Sequence, residues 1–130
     1  MMYKSTRDTK NSTLKTSAEV IKQGIAEDGG LFMPERIPQI DLGFIESLTG
    51  LSYVERAAKV LSLYLEDYTH DELLRAASDA YSEEKFPGGA APLAALGDTH
   101  RLLELWHGPT CAFKDMALQI LPHLLTTSMR

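Results

Sequence analysis

Leu103-Glu104-Leu105-Trp106-His107-Gly108-Pro109-Thr110-Cys111-Ala112-Phe113-Lys114-Asp115 runs from an apolar strand candidate through a Gly-Pro turn to the start of a helix. Strand, turn and helix follow one another in that order. Lys114 stands at the mouth of the helix, a poor place for a solvated surface charge and a good one for a chemical task.

The helix that follows is unusual. Phe113, Met116, Ala117, Ile120, Leu121, Leu124 and Leu125 recur at helical spacing, and Leu118 widens the stripe. From Met116 to Met129 there is no Asp, Glu, Lys or Arg. A helix apolar almost all round expects cover on most sides. Gln119, Pro122 and His123 interrupt it, and it is too short for a membrane span. Pro122 removes a backbone donor and predicts a kink. The rest of the chain is too small and polar to wrap this helix. The expectation is an N-terminal portion of a larger protein, cut after a central helix; the alternative is an oligomer partner as cover.

Upstream, Phe86-Pro87-Gly88-Gly89-Ala90-Ala91-Pro92 reads as a flexible, helix-breaking linker. It predicts a boundary between residues 1–86 and 87–130. Beyond it, Leu93–Leu96 and Arg101–Trp106 are strand candidates, with Gly97-Asp98 as hairpin turn chemistry. Before it lie three capping boxes: Thr16-Ser17-Ala18-Glu19, Ser52-Tyr53-Val54-Glu55 and Thr69-His70-Asp71-Glu72. The first opens a helix expected to turn Val20, Ile21, Gly24 and Ile25 inward and to stop at Asp28-Gly29-Gly30. The second precedes Val54, Ala57, Ala58, Leu61 and Leu65, and the third precedes Leu73, Leu74, Ala77, Ala80 and Tyr81. A weak strand over Met2–Arg7, an extended Leu31–Pro34 and a short helix over Asp41–Leu48 complete the pattern. Pro34 and Pro38 keep residues 35–39 out of helix. The fold class expected is α/β, mostly helical here: a small helical region, then the first strands and helix of a second unit.

Composition bounds the function. With 130 residues, 44% apolar content and 24% charge, the chain suits one globular core. A net charge of −5 argues against nucleic acid or anionic membrane as main partners. The single Cys111 excludes an internal disulfide and fits a reducing cytoplasm. The N-terminus has no apolar run of a secretory signal. No Cys or His pair has zinc-site spacing. Oligomeric state stays open.

Lys114 carries the chemistry. The helix dipole and the apolar neighbours Ala112, Phe113 and Met116 all favour the neutral amine, which is a nucleophile. Such a lysine is the usual Schiff-base former with carbonyl substrates and pyridoxal phosphate. The bland alternative is a lysine that snorkels to solvent or pairs with Asp115, and physics alone favours it.

A resemblance reverses that weighting. His107-Gly108-Pro109-Thr110-Cys111-Ala112-Phe113-Lys114-Asp115 resembles the lysine motif of the threonine synthase family, whose members typically have leucine at the position of Cys111. Tyr3-Lys4-Ser5-Thr6-Arg7 resembles the family's N-terminal strand, with Asp8 where many members have glycine. The segment Gly24-Ile25-Ala26-Glu27-Asp28-Gly29-Gly30-Leu31-Phe32-Met33-Pro34-Glu35 resembles its second signature, and Leu51-Ser52-Tyr53-Val54-Glu55-Arg56-Ala57 a helix start of the family. The likeness covers nearly the whole chain in order. It implies a fold-type-II pyridoxal-phosphate enzyme with Lys114 as both catalytic and cofactor-binding residue, holding pyridoxal 5'-phosphate as a Schiff base. The implied reaction converts O-phospho-L-homoserine and water to L-threonine and phosphate, with the Lys114 amine carrying protons at Cα and Cβ. Two other readings stand beside it: a threonine synthase-like phospho-lyase on related phosphorylated hydroxyamino acids, and a non-catalytic module that keeps the fold.

The neighbours of Lys114 read more blandly. Gly108 and Pro109 shape the turn, Thr110 caps the helix, and Asp115 suits a first helical turn. Phe113 reads as core, Cys111 as a small buried filler, and His107 as a hydrogen-bonded structural residue rather than a proton relay. Arg7 is an exposed charge at a strand end, though it has the chemistry to attract phosphate. Gly29 and Gly30 stop a helix or admit close backbone approach to a ligand. The family's later glycine-rich phosphate loop and its partner for the pyridine nitrogen have no counterpart in this sequence. The 130-residue chain alone is therefore expected to be inactive.

Overall fold

A computed structural model describes residues 1–10 and 13–130. Its first strand, β1 (Tyr3–Ser5), leads to helix α1 (Ser17–Gln23) and strand β2 (Phe32–Pro34). Three helices follow: α2 (Leu42–Ser47), α3 (Tyr53–Ser62) and α4 (His70–Ala80). Strands β3 (Leu93–Leu96) and β4 (His100–Leu103) precede helices α5 (Asp115–Leu118) and α6 (Leu121–Ser128). None of these helices is long and apolar enough to cross a membrane.

All three capping boxes form. Thr16, Ser52 and Thr69 accept from the backbone N–H of Glu19, Glu55 and Glu72, and each glutamate reaches back to its cap. Asp41 caps α2 in the simpler way, accepting from Phe44 N–H. The start of α1 has a second, distant anchor: Ser17 Oγ and Ala18 N–H both donate to the carboxylate of Asp67, the latter at 2.7 Å. One free backbone donor of α1, together with the Ser17 hydroxyl, is thus satisfied from beyond the end of α3.

The core forms where the apolar stripes meet. Ala58, Leu65, Tyr68, Leu73, Ala76, Ala77 and Ala80 pack with Ile120 and Leu124. Val54, Ala57, Leu61, Leu74 and Tyr81 flank them partly buried, so the stripes of α3 and α4 face one another as expected. Small residues on α4 let its neighbours approach closely. Tyr68 OH donates to Leu124 O at 3.3 Å and meets Ser128 Oγ, fastening α6 to this core. Among the described residues, every buried side-chain nitrogen and oxygen has a partner.

The two small sheets are antiparallel. β1 pairs with β2, Tyr3 opposite Pro34 and Ser5 opposite Phe32, and Tyr3 also bridges to Lys15. β3 and β4 form the expected hairpin, Leu96 opposite His100, but the second strand ends at Leu103 rather than Trp106.

Three expectations are corrected. Helix α1 stops at Gly24, four residues early: with φ +81° this glycine ends the helix as few other residues can, and its N–H bonds to Val20 O. Ile25, left beyond the end, is 59% exposed rather than inward-facing. The final apolar run is two helices instead of one kinked helix, with Pro122 in the first turn of α6, where its missing N–H costs nothing. The rest of the chain leaves that run largely uncovered, as expected: only Ile120 and Leu124 are buried hydrophobics, and Phe113, Leu118, Leu121, Leu125 and Met129 are exposed. Finally, the glycine-rich stretch is anchored at its start. Phe86 is 1% exposed and packs on Tyr81, with ring centroids 5.8 Å apart.

Candidate functional site

The turn between β4 and α5 is organised around Asp115. This residue is completely buried, in contrast to the exposed Lys114 before it. Its carboxylate accepts from the Thr110 N–H and the Thr110 hydroxyl, both at 2.8 Å, and from Gln119 Nε2 at 3.2 Å. Burial pushes the Asp115 carboxyl up, but the bonds from Thr110 and Gln119 outweigh it, and the group lies below its ordinary range. Gly108 packs against the same side chain: a Cβ there would stand 2.5 Å from Asp115 Cβ and 2.6 Å from its Oδ2. The turn therefore closes on Asp115.

Thr110 consequently does not cap α5; it donates to Asp115 instead, and α5 has no side-chain cap. Lys114 does not pair with Asp115, whose oxygens are taken by Thr110 and Gln119. The Lys114 side chain is exposed and has no hydrogen-bond or ion-pair partner among the described residues, while its carbonyl accepts from the N–H groups of Ala117 and Leu118. Of its apolar neighbours Ala112 and Met116 are half-buried, while Phe113, expected in the core, is 66% exposed. Cys111 is exposed rather than a buried filler, and its φ of +56° places it in the left-handed region.

His107 is a hydrogen-bonded residue, as expected. Its Nε2 lies 2.7 Å from Glu104 Oε2, and its Nδ1 lies 3.3 Å from Pro87 O. It thereby joins the exit of β4 to the glycine-rich stretch.

A second constellation lies at the N-terminus. Arg7 Nη1 donates to Asp28 O at 2.9 Å, and Asp28 Oδ1 accepts from Ser5 Oγ at 2.7 Å and Gly30 N–H at 2.8 Å. The Ser5 hydroxyl and then the Gly30 N–H hold the Asp28 carboxyl below its usual range. Gly29 and Gly30 are close-approach residues rather than a helix stop: a Cβ on Gly29 would sit 2.8 Å from Arg7 Nη1, and one on Gly30 would collide with Ser5 Oγ. The sequence singled out both segments without joining them. The antiparallel pairing of β1 with β2 joins them. Among the described residues no group of three or more His, Cys, Asp or Glu could hold a metal.

This architecture of helices and a hairpin superposes on about a quarter of the length of solved enzymes of the fold-type-II pyridoxal-phosphate class. A structure of PLP-bound threonine synthase from Brucella melitensis matches with a TM-score of 0.87 and 34% identity, over 99% of this chain and 27% of that one. Threonine synthase from yeast matches with a TM-score of 0.83 and 35% identity, over 97% and 26%. Residues 2–81 match the family model described as threonine synthase N terminus. The chain belongs to the threonine synthase family. Threonine synthase of Schizosaccharomyces pombe is 42% identical over 124 residues, 94% of this chain and 24% of that protein. The human protein called threonine synthase-like 1 is 38% identical over 113 residues, 85% of this chain and 15% of that one. The chain thus spans about a quarter or less of the length of these relatives.

Proposed function

We propose that this chain contributes the cofactor lysine of a threonine synthase-type lyase, and that Lys114 is that lysine. The carrying observation is the contrast at residues 114 and 115: an exposed lysine side chain without partners among the described residues, next to a fully buried aspartate that fixes the turn. A lysine that must bond a carbonyl carbon needs a free Nζ on a fixed backbone, and this one has both. The chain's residues suit the covalent anchor of pyridoxal 5'-phosphate. They do not offer its phosphate cradle: Gly29 and Gly30 are packed against Arg7 and Ser5, and Gly108 against Asp115.

When bound, the cofactor's pyridine ring would supply an electron sink for carbanion chemistry on an amino acid. The Lys114 Nζ would hold the cofactor and, when free, would move protons at Cα and Cβ of the substrate. Asp115, Thr110 and Gly108 would hold the backbone that aims Nζ. The substrate in this reading is O-phospho-L-homoserine, with L-threonine and phosphate as products. The boundary between a helical region, 1–86, and the cofactor unit, from 87 onward, belongs to the same reading, as does a cytoplasmic location. The likeness to human threonine synthase-like 1 supports a second reading, a phospho-lyase on related phosphorylated hydroxyamino acids.

Phosphate release from O-phosphohomoserine tests the proposal on two samples: the 130-residue chain, and the chain joined to the remaining length that its relatives possess. Turnover is expected only from the second. The longer protein should show the visible absorbance of lysine-bound cofactor and lose it on Lys114→Ala. Unchanged absorbance in that variant would overturn the assignment. Turnover by the short chain would overturn its predicted inactivity.

A further inference from the structure

Arg7 and Asp28 lie 21 residues apart and border one cavity of about 380 Å³. Ser5, Lys15, Glu27 and Phe32 also line it. We propose that this cavity, framed by β1, α1 and the turn at residues 26–30, binds a phosphate group between Arg7 and Lys15. The proposal does not rest on Lys114 or on any cofactor, so its failure leaves that reading untouched.

The volume falls within the roughly 300–1,000 Å³ typical of small-molecule sites. Arg7 is placed rather than loose. Its Nη1 donates to Asp28 O, and the missing side chain of Gly29 gives the guanidinium room to lie across the turn. One anchored nitrogen leaves the rest of a planar fork of donors for oxygens of a ligand. Lys15 is steadied as well: Nζ bonds to Gln23 Oε1 and stands 6.0 Å from the centre of the Phe32 ring.

The lining also holds the cation Lys10 and three carboxylates, Asp8, Glu27 and Asp28, of which two are turned toward hydrogen-bond donors of the chain. Asp28 Oδ1 is engaged by Ser5 and Gly30. Asp8 accepts from the Lys10 and Thr13 N–H groups, each at 3.1 Å. The charges of all three carboxylates weaken anion binding, and Arg7, Lys10 and Lys15 together balance them. A tetrahedral oxyanion offers enough acceptors for the fork of Arg7 and the ammonium of Lys15 together, whereas a carboxylate is satisfied by the fork alone.

Amide NMR of the 130-residue chain, titrated at constant ionic strength with inorganic phosphate and separately with O-phospho-L-serine, tests the site. Saturable shifts at Arg7, Gly29 and Gly30 are expected with both. Equal affinities would identify free phosphate as a sufficient ligand, and tighter binding of the monoester would identify the phosphate of an organic molecule. Arg7→Gln should weaken binding at least about tenfold. Glu27→Gln should tighten it about two- to threefold by removing a like charge. That opposite sign cannot arise from lost folding, and Lys15→Gln gives a second weakening variant should Arg7→Gln fail to fold. Shifts that never saturate, or affinities indifferent to Arg7→Gln and Glu27→Gln, would overturn the proposal.

Discussion

Gly108 has no side chain where Asp115 fills the space that one would need. Gly108→Ala must therefore push the aspartate off its Thr110 donors or move the turn. Overpacking of this kind costs about 1–3 kcal/mol, and a thermal melt of the variant against the parent measures it. Lys114→Ala, by contrast, removes only exposed atoms and should leave stability within about 0.5 kcal/mol. A variant that is as stable as the parent yet loses covalent cofactor would separate chemistry from folding. Thr110→Val makes a third case. It deletes one donor that lowers the Asp115 carboxyl while burial continues to raise it, so that carboxyl should titrate at higher pH than in the parent. Carbon NMR of the Asp115 side chain reads this directly. None of these contacts was visible in the sequence. The motif marked Lys114 as special, but a five-residue separation between Thr110 and Asp115 matches no helix or strand period and follows only from the closed turn.

At the scale of elements, Tyr81 and Phe86 connect what the sequence divides. The Tyr81 ring meets Tyr53 edge-on at 5.1 Å and Phe86 at 5.8 Å, and its hydroxyl donates to Met116 O at 2.7 Å. One side chain at the end of α4 thus touches α3, the glycine-rich stretch and α5. Phe86→Ala should cost about 3–5 kcal/mol, the usual range for a large aromatic removed from a packed interior. Tyr81→Phe keeps the ring contacts and loses one hydrogen bond, so about 0.5–1.5 kcal/mol is expected. Urea unfolding of both variants checks the ranking, and an equal cost would show that the Tyr81 hydroxyl contributes as much as the Phe86 ring. The capped helices were legible because a capping box is a local device whose partners lie three residues apart. Phe86 was misread for the opposite reason. Pro and Gly after it announce a break in regular structure, but they say nothing about whether the residue before the break is buried.

Across the whole molecule, the sequence pattern recovered the order of helices and the hairpin, because periodicity and turn chemistry are local. It overstated the final helix, because an apolar run reports its need for cover and not how that need is met. The distribution of ionisable groups leads to a further whole-molecule expectation. Among the described residues, Asp28, Glu55, Glu72 and Asp115 have carboxyls below their ordinary values in the folded chain. Asp28 is held by the Ser5 hydroxyl and the Gly30 N–H, Glu55 by the hydroxyl and N–H of Ser52, and Glu72 by the N–H and hydroxyl of Thr69. Asp115 is raised by burial but lowered further by Thr110 and Gln119. A depressed folded value means that the stabilisation is present above the unfolded values, 3.8 for Asp and 4.5 for Glu, and is lost as pH falls through the folded ones. At the other end, burial and then Tyr53 push the Tyr81 hydroxyl from 10.0 to about 12. Burial raises Tyr3, Tyr53 and Tyr68 in the same direction. A raised value means stabilisation that is complete below 10.0 and lost as pH climbs toward about 12. Urea midpoints measured across the range should therefore form a plateau with an acid edge starting at about pH 5 and an alkaline edge starting near pH 10. The two edges respond to different substitutions. Tyr81→Phe should flatten the alkaline edge and leave the acid edge in place, because phenylalanine has no proton to lose. An alkaline edge unchanged in that variant would assign the loss of stability to tyrosines other than Tyr81.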